Sequence, residues 1–254
     1  MHFFTAADRR YAQFDLLRNQ PGLAHAYCLR PLDVSPRRDD HQAARDARRM
    51  QMVADLGLAS AELCYCIQVH TPEIELITEP RPAGALEGRD AIILTTPAVA
   101  GMTFSADCPL VILYEPHRRI LGLAHASWRC TVARLTAKVA RQMIAQFGCA
   151  PDKMLAGIGP GAGPCCYEVK ADVYEAAAVL ASRDDFFIQR DDKLYFDLWQ
   201  ANRAQLLAAG LPENNIETAG VCTMCRNDLF YSFRREGPGC GHFGLLAALT
   251  PHSD

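Results

Sequence analysis

Three side chains of metal-ligand type stand where apolar runs end: His70 in IQVH, Cys108 in SADCP and His125 in GLAHASW. At a strand end a side chain leaves the packed sheet and meets a cleft. Zinc accepts imidazole nitrogen and thiolate sulfur, and a catalytic zinc uses three protein ligands while leaving a fourth position for water or substrate. The three residues are far apart in sequence, so spacing alone does not join them. A lone histidine in apolar surroundings is as readily a hydrogen-bonded core residue. Asp107 directly precedes Cys108, and Arg129 lies one helical turn past His125. An acid beside a metal ligand can carry protons or orient the ligand, and an arginine opening a helix can hold an anion. The plainer reading of both is a turn salt bridge, worth little energetically.

Other stretches carry weaker signals. GIGPGAGP at 157–164 has loose GxGxxA spacing after an apolar run, but Pro160 and Pro164 would interrupt the helix that should receive a pyrophosphate. A tight active-site loop is the better expectation. CTMC at 222–225 has the C-x-x-C spacing of a zinc knuckle or a redox pair. A closed zinc site needs a second pair, and Cys240 with His242 is the nearby candidate, although its C-x-H spacing is not that of a usual knuckle. Cys165 and Cys166 are adjacent and offer a nucleophile, against the plainer reading of one packed and one exposed thiol.

The elements that must position these groups follow from the hydrophobic pattern. ELCYCIQVH from Glu62, AIILTTP at 91–97, LVILYEP at 110–116 and RILGLAHA at 119–126 read as strands. The short EPHR turn makes the last two an antiparallel hairpin. Trp128, Val132, Leu135, Val139, Met143 and Phe147 fall at helical spacing and predict one helix from about Ser127 to Phe147. MLAGI at 154–158 is a strand, a helix runs from about Ala171 to Ala181, and WQANRAQLLAA is a helix stopped by Gly210 and Pro212. NIETAGVCT, LFYSFRR and HFGLLAAL supply late strands. Residues 23–50 are the most polar part and read as an exposed loop leading into a helix that ends near Gly57. No low-complexity linker divides the chain, so residues 1–254 are expected to form a single α/β domain with a mixed sheet and outer helices.

Composition restricts the function classes. In 254 residues, half are hydrophobic and 22% charged, and the net charge is −3. That balance gives no electrostatic reason to expect nucleic acid or an anionic membrane as partner. No stretch approaches the ~20 apolar residues of a membrane span, and the opening MHFFTAADRRYAQFDLLRNQ has no signal-peptide core. The eleven cysteines are therefore expected to be reduced thiols in the cytoplasm, mostly packing residues, with one a candidate metal ligand.

Taken together, IQVH, SADCPLVILYEP, LGLAHASWRCTV, GIGPGAGPCCYEV, FDLWQANRAQLLAAG and VCTMCRNDLFYSFRREG resemble, in order, the blocks of the YfiH family, long labelled multicopper polyphenol oxidase or laccase domain. The resemblance runs from about Glu62 to Leu249 and leaves 1–61 divergent. It implies an α+β fold, a four-layer α/β/β/α sandwich of two mixed sheets packed face to face with helices on the outer sides. It implies a catalytic zinc held by His70, Cys108 and His125. It further implies phosphorolysis of adenosine, inosine, guanosine and methylthioadenosine to base and ribose 1-phosphate, with adenosine deamination as a second activity. Within it Asp107 is the candidate proton carrier and Arg129 the candidate phosphate ligand. The expected partners are a purine nucleoside and phosphate.

The sequence departs from the family pattern near its start. Where the family reads TTR, a GG-x-S loop and an Asn-Arg pair, this chain has YCLRPLDVSPRRDD and ARDARRM. Arg30 is the candidate for the first arginine and Arg48 or Arg49 for the second, while the glycine loop is absent. WRG has become WRC, which places the Cys130 side chain where the family allows close backbone approach. Cys166 is a further candidate for the pocket wall. Three other functions stand beside the purine reading. Copper-dependent phenol oxidation normally needs several coppers and many histidines, and this chain has eight, although copper can occupy such a site in vitro. Editing of peptidoglycan precursors is suggested by bacterial members. A binding module with a structural metal is the non-enzymatic alternative.

Overall fold

A computed structural model describes residues 1–36 and 39–251. The chain opens with β1 (His2–Ala6), β2 (Arg9–Gln13), β3 (Leu23–Cys28) and α1 (Gln42–Asp55). It continues through β4 (Glu62–Ile67), β5 (Ile74–Ile77), β6 (Gly84–Glu87), β7 (Ala91–Leu94) and β8 (Val99–Ser105). The hairpin β9 (Leu110–Glu115) and β10 (Ile120–His125) leads to α2 (Trp128–Val132) and α3 (Leu135–Phe147), then β11 (Leu155–Ile158). The remainder comprises β12 (Glu168–Val169), α4 (Ala171–Ala176), β13 (Phe187–Arg190), β14 (Lys193–Phe196) and α5 (Leu198–Ala208), then β15 (Ile216–Thr218), α6 (Phe233–Glu236) and β16 (Phe243–Leu249).

Two mixed sheets result, with strand orders β1-β2-β3-β16-β8-β4-β6 and β15-β11-β9-β10-β7-β5, and β12-β14-β13 form a small third sheet. Each large sheet has an antiparallel middle and parallel pairs: β4 with β6 and β8, β5 with β7, β11 with β15. Side chains alternate between faces along a strand. On β8, Gly101 faces Leu94 and Leu123 of the other sheet, whereas Phe104, of opposite parity, lies under the Arg49 guanidinium of α1. The inner faces thus form one core, which includes Tyr27, Leu245, Ile112 and Leu121. Helices α3 and α5 cover the outer face of the second sheet through Val139, Met143 and Leu206. This is the expected two-sheet sandwich with helices outside.

Gly122 sets how near α3 can lie. A Cβ there would stand 2.7 Å from Val139 Cγ1 and 3.0 Å from Met143 Sδ, so only glycine lets the helix seat directly on β10.

Three expectations need correction. The helix predicted over 127–147 is broken: Arg134 adopts the left-handed conformation, with φ of 60°, and separates α2 from α3. Gln205 of α5 donates to Thr131 O and accepts from Ala137 N–H, replacing helical bonds at the break. Asn202 Nδ2 donates to Thr131 Oγ1 beside it. The apolar stripe continues across the break, which is why periodicity alone could not show it. LFYSFRR is not a strand but a turn followed by α6, because Ser232 Oγ accepts the Arg235 N–H and Glu236 reaches back to Ser232 N–H. Lastly, the polar stretch 23–50 begins with β3, a mostly buried strand between β2 and β16, before its loop and helix.

Candidate active site

His125 ends β10 on the inside of the second sheet and is almost fully buried. Its Nδ1 lies 2.8 Å from Asp90 Oδ1. Asp90 stands just before β7, has no solvent exposure, and also accepts backbone N–H bonds from Val69, His70 and Thr71. Burial would push this carboxyl up, but the His125 bond and those of the Thr71 and Val69 amides hold it below the usual carboxylate range. An ionised acceptor at Nδ1 keeps the proton there and leaves Nε2 as a lone pair. The same three amides fix the turn that carries His70, whose φ of 64° is left-handed. The imidazoles of His70 and His125 meet edge to face with centroids 5.1 Å apart. Burial and the neighbouring His125 lower the His70 pKa, so His70 is neutral near pH 7, as a metal ligand must be.

His70, Cys108 and His125 line one cavity of about 480 Å³ with Asp107 and Arg129. The cavity therefore gathers the three ligand-type residues and both neighbours singled out from sequence. Burial, and then Asp107, push the Cys108 thiol well above its ordinary value. Two imidazoles and a thiol form the nitrogen and sulfur donor set that suits zinc, which would displace the thiol proton.

Asp107 is 5% exposed and has a φ of 108°. Its Oδ1 accepts from Thr223 Oγ1 at 2.6 Å and its Oδ2 from the Arg234 N–H at 2.7 Å. Its own carbonyl accepts from Ala162 N–H at 2.6 Å, so the GPGAGP loop packs against the cavity wall as a tight loop. Arg129 is exposed, stacks at 4.2 Å on the Trp128 ring, and makes no ion pair among the described residues. Phe104, Trp128, Tyr167 and Phe233 supply aromatic walls.

The other arginines proposed from sequence do not line this cavity. Arg30 pairs with Glu236 at 2.8 Å and stacks on Tyr231, and exposed Arg48 donates to Asp33 O. Arg49 is buried and donates to Val34 O and Ser35 O while stacking on Tyr65. It thereby supports the wall at Pro36 and Phe104 from behind. Cys166 lies outside the cavity, beside Cys165, Cys222 and Cys225. The partner of CTMC is thus the Cys165–Cys166 pair and not Cys240 with His242: Cys240 is buried elsewhere, and His242 lines the main cavity. Cys130 fits beneath Asp90, its Sγ 3.6 Å from Asp90 Oδ1 and 3.6 Å from Thr71 O.

Sequence reasoning missed Asp90 and Arg234. Asp90 had a signal, a carboxylate directly before the wholly apolar AIIL run. Arg234 had none, since its stretch reads as a strand.

The chain is similar to several known proteins. Residues 19–250 match a family described as multi-copper polyphenol oxidoreductase laccase, which takes the likeness back through β3 and α1. A purine nucleoside phosphorylase of Bacteroides thetaiotaomicron is 31% identical over 225 residues, spanning 82% of this chain and 81% of that one. Adenosine deaminase RL5, from an unknown prokaryotic organism, is 32% identical over 213 residues, 80% of each chain. The crystal structure of YlmD from Geobacillus stearothermophilus has the same fold, with a TM-score of 0.87 over 98% of this chain and 99% of that one at 24% identity. The Bacillus licheniformis hypothetical protein YfiH superposes with a TM-score of 0.84 at 26% identity, over 90% and 93% of the two chains.

Proposed function

The chain belongs to the family described as multi-copper polyphenol oxidoreductase laccase, and from that membership we propose that it is a zinc-dependent purine nucleoside phosphorylase with adenosine deamination as a second activity. The observation that carries the reading is that His70, Cys108 and His125 line one aromatic-walled cavity, with the His125 ring held through Nδ1 by buried Asp90. Relatives named purine nucleoside phosphorylase and adenosine deaminase support it. The candidate substrates are adenosine, inosine, guanosine and methylthioadenosine.

His70, Cys108 and His125 would hold the zinc, which supplies a Lewis acid and a lowered pKa for bound water. The remaining roles belong to this chain's own side chains. Trp128, Tyr167 and Phe233 offer faces on which a purine can stack. Arg129, exposed, lining the cavity and without an ion pair among the described residues, is the proposed phosphate ligand. Phosphate held there stabilises the positive charge that develops on the ribose as the base departs. Asp107 is the proposed proton carrier: one bond to each oxygen orients the carboxylate and leaves a second acceptor position on each for the proton.

The test is incubation of zinc-replete protein and a His125→Ala variant with adenosine, with and without phosphate. Phosphate-dependent adenine release that vanishes in the variant is expected. Inosine alone would reduce the assignment to a deaminase. No product from zinc-loaded protein would overturn it and favour the peptidoglycan role.

A further inference from the structure

Outside the cavity, two loops bring four thiols together. Cys165 and Cys166 end GPGAGPCC, Cys222 and Cys225 bracket CTMC, and the four Sγ atoms all lie within 4.8 Å of one another. Cys225 Sγ is 3.7 Å from Cys165 Sγ and 3.5 Å from Cys166 Sγ. Sulfurs at the corners of a tetrahedron around zinc, each about 2.3 Å from the ion, stand ~3.8 Å apart. Bonded sulfurs would stand at about 2.05 Å. The two Cys225 separations are close to that of ligands sharing one ion and well beyond that of a disulfide.

The surrounding backbone is built to the same end. Gly161 and Cys222 form a parallel bridge, and Thr223 N–H donates to Gly161 O at 3.0 Å. Gly163 N–H points at Cys222 Sγ from 3.4 Å, a bond that favours a thiolate. A Cβ on Gly163 would lie 2.6 Å from the Trp199 ring, so glycine is what lets this amide approach the sulfur. Arg235 Nη1 donates to Met224 O at 2.6 Å, and an Arg190 N–H donates to Pro164 O. Two cations thus stand beside a position where four thiolates and one divalent ion would carry net negative charge. Cys165 and Cys225 are exposed. Exposed thiols are not core packing, the usual use of an unpaired cysteine.

We propose that Cys165, Cys166, Cys222 and Cys225 hold a zinc ion in a closed tetrathiolate site, separate from the His70, Cys108 and His125 cavity. All four positions are filled by protein, so the ion is structural. It ties the 161–166 loop to the 222–225 loop, and both reach the cavity wall: Ala162 and Thr223 bond Asp107, and Tyr167 lines the cavity. The site does not depend on the purine reading.

Zinc per chain is measured by mass spectrometry on protein purified under reducing conditions without chelator, for wild type, Cys225→Ser, Cys166→Ser and His125→Ala. Two equivalents are expected in wild type, one in each single variant, and none in Cys225→Ser combined with His125→Ala. A wild-type chain whose zinc is lost in His125→Ala and unchanged in Cys225→Ser overturns the proposal. So does an intact mass showing a disulfide among these cysteines in place of metal. If the cysteine variants do not fold, cobalt(II) added to His125→Ala protein decides the matter: intense sulfur-to-cobalt charge transfer with tetrahedral visible bands is expected, and their absence overturns the site. One equivalent confined to the cysteines in wild type would support this site while removing the zinc of the purine reading.

Discussion

Asp90 Oδ1 and His125 Nδ1 lie 2.8 Å apart, with the two side chains 0% and 4% exposed. The pair is sealed between β7 and β10, and the N–H groups of Val69, His70 and Thr71 converge on the same carboxylate. One buried charge thus orients two of the cavity's histidines, His125 through its ring and His70 through its backbone.

Replacing that charge should be felt at the metal and in the fold. Asp90→Asn must turn an NH2 group toward either His125 Nδ1–H or the Val69 and Thr71 amides, so donor faces donor. Zinc affinity should fall about ten- to a hundredfold, and stability by roughly 1–3 kcal/mol for the unsatisfied buried donors. A competition titration with a zinc chelator and a denaturant melt measure both. Unchanged zinc affinity would show that the pair is structural only.

Arg129 separates the two proposed activities. Because it is exposed and makes no ion pair among the described residues, Arg129→Ala should leave stability within about 0.5 kcal/mol. It should raise the KM for phosphate at least tenfold while adenosine deamination is nearly unchanged, and Arg129→Lys should restore part of the loss. Equal loss of both activities would remove phosphate binding from this residue.

His25 predicts a stability loss on mild acidification. It is buried on β3, stacks with Phe14, and its Nε2 accepts the Phe14 N–H at 3.1 Å. Burial lowers its pKa from 6.5 to about 4. Below pH 6.5 the unfolded chain takes up a proton that the native chain refuses until about pH 4. Stability is therefore full above pH 6.5 and declines toward pH 4 by roughly 3 kcal/mol, then levels off for this group. In denaturant melts from pH 7.5 to 4, His25→Gln, which can still accept from Phe14, should flatten that decline. An unchanged slope would place its origin elsewhere.

Gly122 should tolerate no side chain. Gly122→Val drives methyl groups into Val139 and Met143, and overpacking of this kind costs about 1–3 kcal/mol. Because β10 ends at His125, zinc affinity should fall along with the melting temperature. A melting temperature equal to wild type would mean that α3 can shift at no cost.

Much of the site was legible because strand ends are legible. IQVH and GLAHASW place their histidines where an apolar run meets polar residues, and the fold delivers both side chains to one cavity. The β9–β10 hairpin, β11, β16 and the helix ending before Gly57 follow from the same local patterns. The misreadings arise where local pattern and tertiary partner disagree. The break at Arg134 is maintained by Asn202 and Gln205, and LFYSFRR alternates like a strand yet is turned by Ser232 and Glu236.

By itself the sequence determined which residue types stand at the ends of apolar runs, because alternation and helical periodicity are local properties of the chain. The tertiary structure alone decided which distant groups share a site. Asp90 meets His125 because β7 pairs antiparallel with β10, Arg234 reaches Asp107 because α6 turns back over the cavity, and Cys165 and Cys166 meet CTMC because the Gly161–Cys222 bridge joins their loops. Those meetings depend on strand pairing and loop closure over long separations, which no short window of residues encodes.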